Sequence, residues 1–420
     1  MIKSNVFLLI IFIFLLILPL HAADITITKE ENQPSPESLL KEENINRGFI
    51  KKISDYTYNE YAINSIKKNI MLFTGDMRGR FSIWLKRSGK YINLMKAILK
   101  EKDIPEEIVF LPIIESGFNP YAYSPKRAAG YWQFIDSTAK KYGLEINWWK
   151  DERRDPIKST MAAADYLKDL YEIFGSWELA IAAYNAGEGK IRRALRKTKT
   201  DDYWDLQKTK YIKRETKNYV PKFIAASLIA NNPQEFSFED IEYLPPLKYD
   251  TVIIKSPVDL EIVARCAKTS FDVIKKLNPE LKRWCTPPDE SGYQLKIPEG
   301  QRDIFLENLS EIPKEKRFTV DTYSVKKGDS LIKIAKKIRV PVRVIRDLND
   351  HKKFKPLRAG DEIFIPPKEK YSIDGDVKAS LKKSSYRYRQ KVSDKKNVRK
   401  KKMINKQNRN VQDKDDYRKI

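Results

Sequence analysis

Hydrophobic residues in the first half of the chain recur at the spacing of amphipathic helices. Two apolar faces follow one another between residues 49 and 100, and their members are Phe81, Trp84 and Leu85, then Ile92, Met95, Ile98 and Leu99. Helical segments and polar loops continue through residues 104–231, and no alternating strand pattern appears between residues 50 and 235. The pattern therefore predicts a mostly helical first half.

One apolar run differs from the others because a carboxylate follows it. Residues Ile108–Ile114 carry no charge, hydroxyl or amide, and Glu115 comes next. A helix that is apolar all round is typically buried, with Pro105 suited to its first turn, Pro112 to a bend and Gly117 to its end. Low dielectric and the negative end of the helix dipole both predict a raised pKa for Glu115. The alternative is a structural glutamate held by a hydrogen bond or an arginine.

Capping residues mark two further helices in this half. Asp155 followed by Pro156 is typical of a cap and a first-turn residue, and predicts a helix that runs to about Phe174. Ser176 is the predicted cap of the next helix, which ends at Gly187.

The second half of the chain contains two copies of a β-α-α-β pattern. The copy at residues 322–367 has the sequence VIRDLN at 344–349, and the copy at residues 250–298 has VIKKLN at 273–278. The first copy departs from the second, because Ser–Pro replaces Gly–Asp before its first helix and the stretch 280–293 is inserted before its last strand. The sequence predicts two small α+β modules, of which the first is degenerate.

Both ends of the chain differ from the rest in composition. Lys3 and a run of 15 apolar residues within Met1–Ala23 predict a signal peptide, because a membrane span needs about 20 such residues. The protein is thus expected in the periplasm or cell envelope; an uncleaved anchor, which would associate it with the membrane, is the alternative. Residues 24–48 are a predicted linker. Residues 371–420 contain 17 Lys/Arg and 6 Asp of a chain with net charge +24, and predict a disordered basic tail.

Cysteine and histidine are rare in this chain. Cys266 and Cys285 are the only cysteines, and they are a predicted disulfide pair in an oxidising compartment, with two buried thiols as the alternative. The histidines are His21 and His351, and His21 lies in the predicted signal. These residues cannot form a metal cluster, and no cofactor is expected.

Three further runs combine small residues with uncharged polar groups. They are AAGYWQF at 128–134, AAYNAG at 182–187 and ETKNYV at 215–220. Glutamine, asparagine and tyrosine suit hydrogen bonding to sugar hydroxyls and N-acetyl groups. Ordinary core packing is the better explanation of each run alone, but their order and spacing together indicate one site.

The sequence resembles a known family of enzymes. Residues 104–231 resemble the catalytic domain of the soluble-lytic-transglycosylase-like family in the runs PIIESGFNP, AAGYWQF, ERRDP, AAYNAG and ETKNYV. The two β-α-α-β units resemble LysM peptidoglycan-binding modules, and the resemblance covers about residues 48–368. The departures of the first unit put its glycan binding in doubt.

The resemblance implies a lysozyme-like α fold and cleavage of the β-1,4 bond between N-acetylmuramic acid and N-acetylglucosamine. Glu115 matches the catalytic glutamate, which serves first as acid and then as base and leaves a 1,6-anhydromuramic end. The other positions that match the family's site are Ser116, Gln133, Tyr184, Asn185 and Tyr219. Ordinary glycosidases use two carboxylates; here the other candidates in principle are Glu145, Asp151, Glu152 and Asp155.

The resulting division of the chain has seven parts. These are a signal peptide at 1–23, a linker at 24–48, a helical N-terminal extension at 49–103, a lysozyme-like catalytic domain at 104–235, a degenerate LysM-like module at 250–298, a LysM module at 322–367 and a basic tail at 371–420.

Two alternatives to the transglycosylase remain open from the sequence. One is a goose-lysozyme-type hydrolase of the same bond, and the other is a catalytically inactive cell-wall-binding protein. Glycan strands of peptidoglycan are the expected partner. For the basic tail, an anionic wall polymer or a membrane surface is favoured over nucleic acid, because the chain carries an export signal.

Overall fold

The computed structural model describes residues 60–349 and 356–370. The predicted signal peptide, linker and basic tail lie outside the described residues, as does the start of the helical extension. No helix among the residues described is long and apolar enough to cross a membrane.

The described part of the first half is helical, as predicted. Its α-helices are α1 Glu60–Thr74, α2 Arg78–Ser88, α3 Ile92–Glu101, α4 Leu111–Ser116, α5 Asp136–Lys141, α6 Pro156–Phe174, α7 Trp177–Ala186, α8 Glu188–Thr198, α9 Tyr203–Lys208, α10 Arg214–Lys217 and α11 Tyr219–Asn231. One hydrophobic core, from Ala62 to Phe238, contains residues of every one of these helices except α10. Helix α11 lies at its centre, because α1, α4 and α7 all pack against it.

The apolar run before Glu115 forms two elements where the sequence predicts one helix. Residues Glu106–Phe110 form a 3₁₀ helix, and α4 begins only at Leu111. Pro112 has no N–H to donate, which is tolerated in the first turn of a helix and costly further in. The α-helix therefore starts just before Pro112, and the prediction of a single helix from Pro105 bent at Pro112 is wrong. Gly117 ends α4 at φ +60°, as expected.

Both predicted caps are confirmed. One carboxylate oxygen of Asp155 accepts hydrogen bonds from the N–H groups of Ile157 and Lys158, each at 2.8 Å. The hydroxyl of Ser176 accepts from the N–H of Leu179 at 3.4 Å. These caps fix the first residues of α6 and α7. Helix α7 contains the predicted site residues Tyr184 and Asn185.

The loop of residues 128–134 lies directly against the segment 151–154. Gly130 has φ +80°, and a Cβ there would lie 1.7 Å from the carbonyl oxygen of Arg153, so only glycine fits. The Arg153 guanidinium donates to the carbonyl oxygen of Phe134 at 3.1 Å and pairs with Asp151 at 2.8 Å. A buried ion pair therefore sets the shape of this loop.

The second half folds into two modules, each built on an antiparallel pair of strands. Their elements are β1 Asp250–Ile254, α12 Leu260–Cys266, α13 Phe271–Leu277 and β2 Tyr293–Ile297, then β3 Asp321–Ser324, α15 Leu331–Ile338, α16 Val342–Asn349 and β4 Glu362–Ile365. Helix α14, Arg302–Glu311, follows the first module and was not predicted. The order β-α-α-β in both copies agrees with the predicted repeat.

In each module, an asparagine at the equivalent position links the second helix to the closing strand. In the second module the Asn349 side chain donates to the carbonyl of Phe364 at 2.7 Å and accepts from the N–H of that residue at 2.8 Å. In the first module Asn278 makes the equivalent pair with Lys296, at 2.7 and 2.9 Å. This buried contact between the second helix and the closing strand explains the shared asparagine of VIKKLN and VIRDLN.

The first module is joined to the helical domain by a buried ion pair. Lys296 on β2 places its ammonium 2.5 Å from the carboxylate of Asp155, the cap of α6, and 3.4 Å from that of Glu280. The N–H of Asp151 also donates to the carbonyl of Glu280 at 2.9 Å. Asp155 is thus a helix cap, as predicted, and also an interdomain contact, which was not.

The predicted disulfide is not present. Cys266 and Cys285 are both free and buried. Cys266 packs in the core of the first module, whereas Cys285 packs with Trp149 and Trp284 in the cluster that includes the second module. The prediction of a pair is therefore wrong, because the inserted stretch carries Cys285 into a different core.

Candidate active site

Glu115 lies at the C-terminal end of α4, where the chain turns at Gly117. Its carboxylate accepts a hydrogen bond from the hydroxyl of Tyr219, the first residue of α11. The residue is only partly buried, so one side of it remains accessible. The packing of α4 against α11 therefore brings together two site residues that are 104 positions apart in sequence.

The environment of Glu115 favours its protonated form. Burial of the carboxyl raises its pKa from 4.5 to about 7, against the opposing effects of the Tyr219 hydrogen bond and of the Lys222 charge. The nearby charge of Glu215 raises this pKa further, and that of Lys126 lowers it. This agrees with the raised pKa predicted from the sequence, and burial is the principal cause.

Tyr184 and Ser116 attach the 128–134 loop to the helices around Glu115. The hydroxyl of Tyr184, on α7, donates to the carbonyl of Trp132 at 2.7 Å, and the hydroxyl of Ser116 donates to the carbonyl of Tyr131 at 2.8 Å. Burial and the Glu115 charge raise the pKa of Tyr184, which therefore stays protonated. Both residues lie at the predicted site and have a structural role there.

Gln133 and Asn185 are held by neighbours other than Glu115. The Gln133 amide donates to the carbonyls of Gly130 at 2.8 Å and Ala122 at 3.2 Å. The side-chain oxygen of Asn185 accepts from the hydroxyl of Thr216 at 3.2 Å. Their contact with a saccharide stays a prediction.

The other carboxylates considered from the sequence are engaged in ion pairs. Asp151 pairs with Arg153, and Glu152 lies 3.0 Å from Lys150 and 2.6 Å from Lys158. Although burial alone would raise the pKa of both carboxyls, the hydrogen bonds and charges of these partners hold it below the usual range. Glu145 likewise pairs with Lys150 at 2.7 Å, and Asp155 pairs with Lys296. Each of these carboxylates therefore lies against at least one cation.

Two charged residues near Glu115 were not identified as site residues from the sequence. Lys222 lies one turn after Tyr219 on α11, and burial lowers its pKa. Glu215 opens the run ETKNYV and is exposed. Lys222 could have been identified from its spacing of three residues from Tyr219, since residues i and i+3 share a helix face.

Comparison with known families defines the class of protein. Residues 93–207 match the family described as Transglycosylase SLT domain, residues 248–314 the LysM-like domain of lytic transglycosylase MltD, and residues 323–366 the LysM domain. The chain therefore contains one segment similar to transglycosylase SLT domains and two segments similar to LysM-type domains, which agrees with the resemblance and the fold class predicted from its sequence.

The chain is also similar to individual known proteins. Over 293 residues the chain is 31% identical to membrane-bound lytic murein transglycosylase D of Escherichia coli strain K12, covering 66% of this chain and 64% of the relative's length. It is 40% identical over 115 residues to a putative tributyltin chloride resistance protein of Alteromonas sp. strain M-1, covering 27% and 56%. A solved complex of the 70-kDa soluble lytic transglycosylase with bulgecin A has 27% identity and a TM-score of 0.30, covering 33% of this chain and 23% of the other.

Proposed function

We propose that this protein is a peptidoglycan lytic transglycosylase. It would cleave the β-1,4 bond between N-acetylmuramic acid and N-acetylglucosamine and form 1,6-anhydromuramic ends. The observation that carries the proposal is a single glutamate, Glu115, whose pKa of about 7 lets it act as both acid and base. The matches to the SLT and LysM families and to a murein transglycosylase support the same substrate.

The chemistry needs one group that gives a proton and then takes one back. Protonated Glu115 donates to the glycosidic oxygen as the bond from that oxygen to muramic C1 breaks, while the muramic N-acetyl group assists at C1. The Glu115 carboxylate then takes the proton of the muramic C6 hydroxyl, and the C6 oxygen bonds to C1. Glu115 ends protonated, and no water is consumed.

The surroundings of Glu115 suit both halves of this cycle. Burial disfavours the carboxylate and so keeps the acid protonated when substrate arrives. The Tyr219 hydroxyl donates to the carboxylate once the proton has left. Gln133, Tyr184 and Asn185 are proposed to line the saccharide cleft, with Ser116 holding its wall.

The remaining segments fit action on the cell envelope. The LysM-type modules would hold the enzyme on glycan strands, and Met1–Ala23 would export it to the periplasm. Whether that segment is removed or kept as an anchor decides if the protein stays at the membrane.

Product analysis of residues 24–420 on purified sacculi tests the proposal. Mass spectrometry of the soluble products is expected to find anhydromuramic ends. Reducing muramic ends alone would identify the goose-type-lysozyme-like hydrolase instead. Sacculus binding without soluble products would identify a cell-wall-binding protein that lacks activity.

The rate should follow the protonation of Glu115. The acid form is needed first, so activity is expected to be high below pH 7 and to fall as pH rises through about 7. In Tyr219→Phe the hydrogen bond that lowers this pKa is lost, so the descending limb should move to higher pH. Initial rates of muropeptide release between pH 4 and 9 measure this.

Tyr171→Phe is the control for that experiment. Tyr171 is an exposed residue of α6 that stacks on Trp177. The pH profile of Tyr171→Phe should therefore match that of the wild type. A descending limb near the ordinary glutamate pKa in the wild type, or an unmoved limb in Tyr219→Phe, contradicts the assignment.

The basic tail is proposed to bind anionic wall polymer or an anionic membrane surface. Removing residues 371–420 takes away 17 Lys/Arg and 6 Asp. Binding to sacculi at low ionic strength should weaken, and its dependence on salt should become less steep, because fewer opposite charges are paired. Co-sedimentation over a salt series measures both, and an unchanged salt dependence contradicts a role in binding.

A further inference from the structure

A positively charged cavity lies next to the proposed cleft. It has a volume of about 200 Å³, and the cations in its walls are Lys126, Lys190, Arg193, Lys197 and Lys213. The acidic residue among its lining residues is Glu215. The mechanism proposed above uses none of these cations.

The sequence of α8 explains why three of these cations share the cavity. Ile191 and Ala194 are buried and fix the orientation of the helix. Lys190, Arg193 and Lys197 follow at spacings of three and four residues, so they lie on one face. That face borders the cavity.

The positive charge of the cavity is largely uncompensated. Glu215 lies 3.8 Å from Lys126, and both side chains are mostly exposed. Among the residues that the structure describes, Lys190, Arg193 and Lys213 take part in no ion pair. Buried lysines of the same chain are paired, as Lys150 and Lys296 show. Clustered cations in a concave wall attract anions.

The cavity shares residues with the surroundings of Glu115. Asn185, which the sequence assigns to the saccharide cleft, is one of its lining residues. Lys126 and Glu215 also line it, and both are close enough to Glu115 to influence its pKa. An anionic group held among the cations would therefore be attached to a sugar lying beside Glu115.

We propose that this cavity binds carboxylates of the peptide carried by muramyl residues of the substrate. The inference rests on the proposed function and extends it, because the sugar rings of the glycan are neutral and its peptide substituents are anionic. The enzyme then prefers strands that still carry their peptides, and Lys190 and Arg193 determine that preference.

The test compares two substrates and two variants. The substrates are sacculi freed of phosphate-bearing polymers and the same sacculi stripped of peptides by an amidase, which removes the peptide carboxylates and leaves only the lactyl carboxylate next to each muramyl ring. The variants are Lys190→Gln/Arg193→Gln and, as a control, Arg192→Gln/Arg196→Gln, which removes the same charge from exposed positions of α8 outside the cavity. Thermal unfolding of each variant verifies its fold.

Lys190→Gln/Arg193→Gln is expected to lower kcat/KM about tenfold on peptide-bearing strands, mainly through KM, and to leave activity on stripped strands unchanged. The control should match the wild type on both. Equal loss on both substrates, or no loss on either, overturns the proposal. A loss that appears only when the assay is repeated on untreated sacculi, which retain phosphate-bearing polymers, also overturns the proposal and identifies phosphate as the anion. If the proposed function itself fails, the wild type releases no anhydro product from either substrate.

Discussion

Replacing Glu115 with glutamine is expected to lower the rate of muropeptide release from sacculi by about 10³- to 10⁴-fold. General acid–base catalysis by one group contributes about 10²- to 10⁴-fold, and in the proposed mechanism the same group serves in both halves of the reaction. The amide of glutamine keeps the size of the side chain and removes its transferable proton. Separation of the soluble products by chromatography with mass detection measures the rate.

Glu172→Gln is the matched control, because Glu172 lies on the exposed side of α6. It should digest sacculi at the wild-type rate. Glu115→Gln that digests sacculi as fast as the wild type would refute the assignment of the site.

The same variant has an expected effect on stability that does not depend on activity. Because the folded-state pKa of Glu115 is raised above its unfolded value, the protein loses stability as pH rises above 4.5, and the loss is complete above about 7. Glutamine cannot ionise and avoids this loss. Glu115→Gln should therefore melt at a higher temperature than the wild type at pH 8, and the difference should shrink towards pH 5.

Lys296→Ala is expected to lower the free energy of unfolding by about 3–5 kcal/mol. Removing one member of a buried ion pair leaves the partner charge without compensation, and here the carboxylates of Asp155 and Glu280 are both left. Burial alone would lower the pKa of Lys296, but these two carboxylates raise it, so the charged form is the stable one. Thermal unfolding should show a midpoint about 10 °C lower.

Lys248→Ala is the control for this variant. Lys248 is 3.4 Å from Glu299, and the two residues flank the first module, but both side chains are exposed, and such a pair contributes at most about 1 kcal/mol. Equal melting of the two variants would mean that the interdomain ion pair does not stabilise the protein.

Local patterns in the sequence predicted most of the elements and the raised pKa of Glu115. Asp155 and Ser176 predict the starts of α6 and α7 because capping involves residues only two or three positions away. The shared asparagine of the two modules likewise marks a contact within each unit. Glu115 is identifiable because the apolar run that buries it lies directly before it.

Predictions that depended on distant residues were incomplete or wrong. The spacing of Cys266 and Cys285 permits a disulfide, yet each thiol packs in a different core. The amide of Gln133 suits a sugar and also donates to the carbonyls of Gly130 and Ala122, so its contact with a saccharide stays a prediction. Whether a polar group is available for substrate depends on its neighbours in space.

The sequence by itself thus determined the helical class, the two modules and the raised pKa expected of Glu115, because these follow from short-range spacing and hydrophobic period. The tertiary structure decided how far the pKa of Glu115 rises and which carboxylates form ion pairs with cations. It also decided that the cations of α8 border one cavity. Those properties arise from contacts such as Glu115 with Tyr219 and Asp155 with Lys296, which lie 104 and 141 positions apart. Burial and charge are set by such contacts, and no local pattern encodes them.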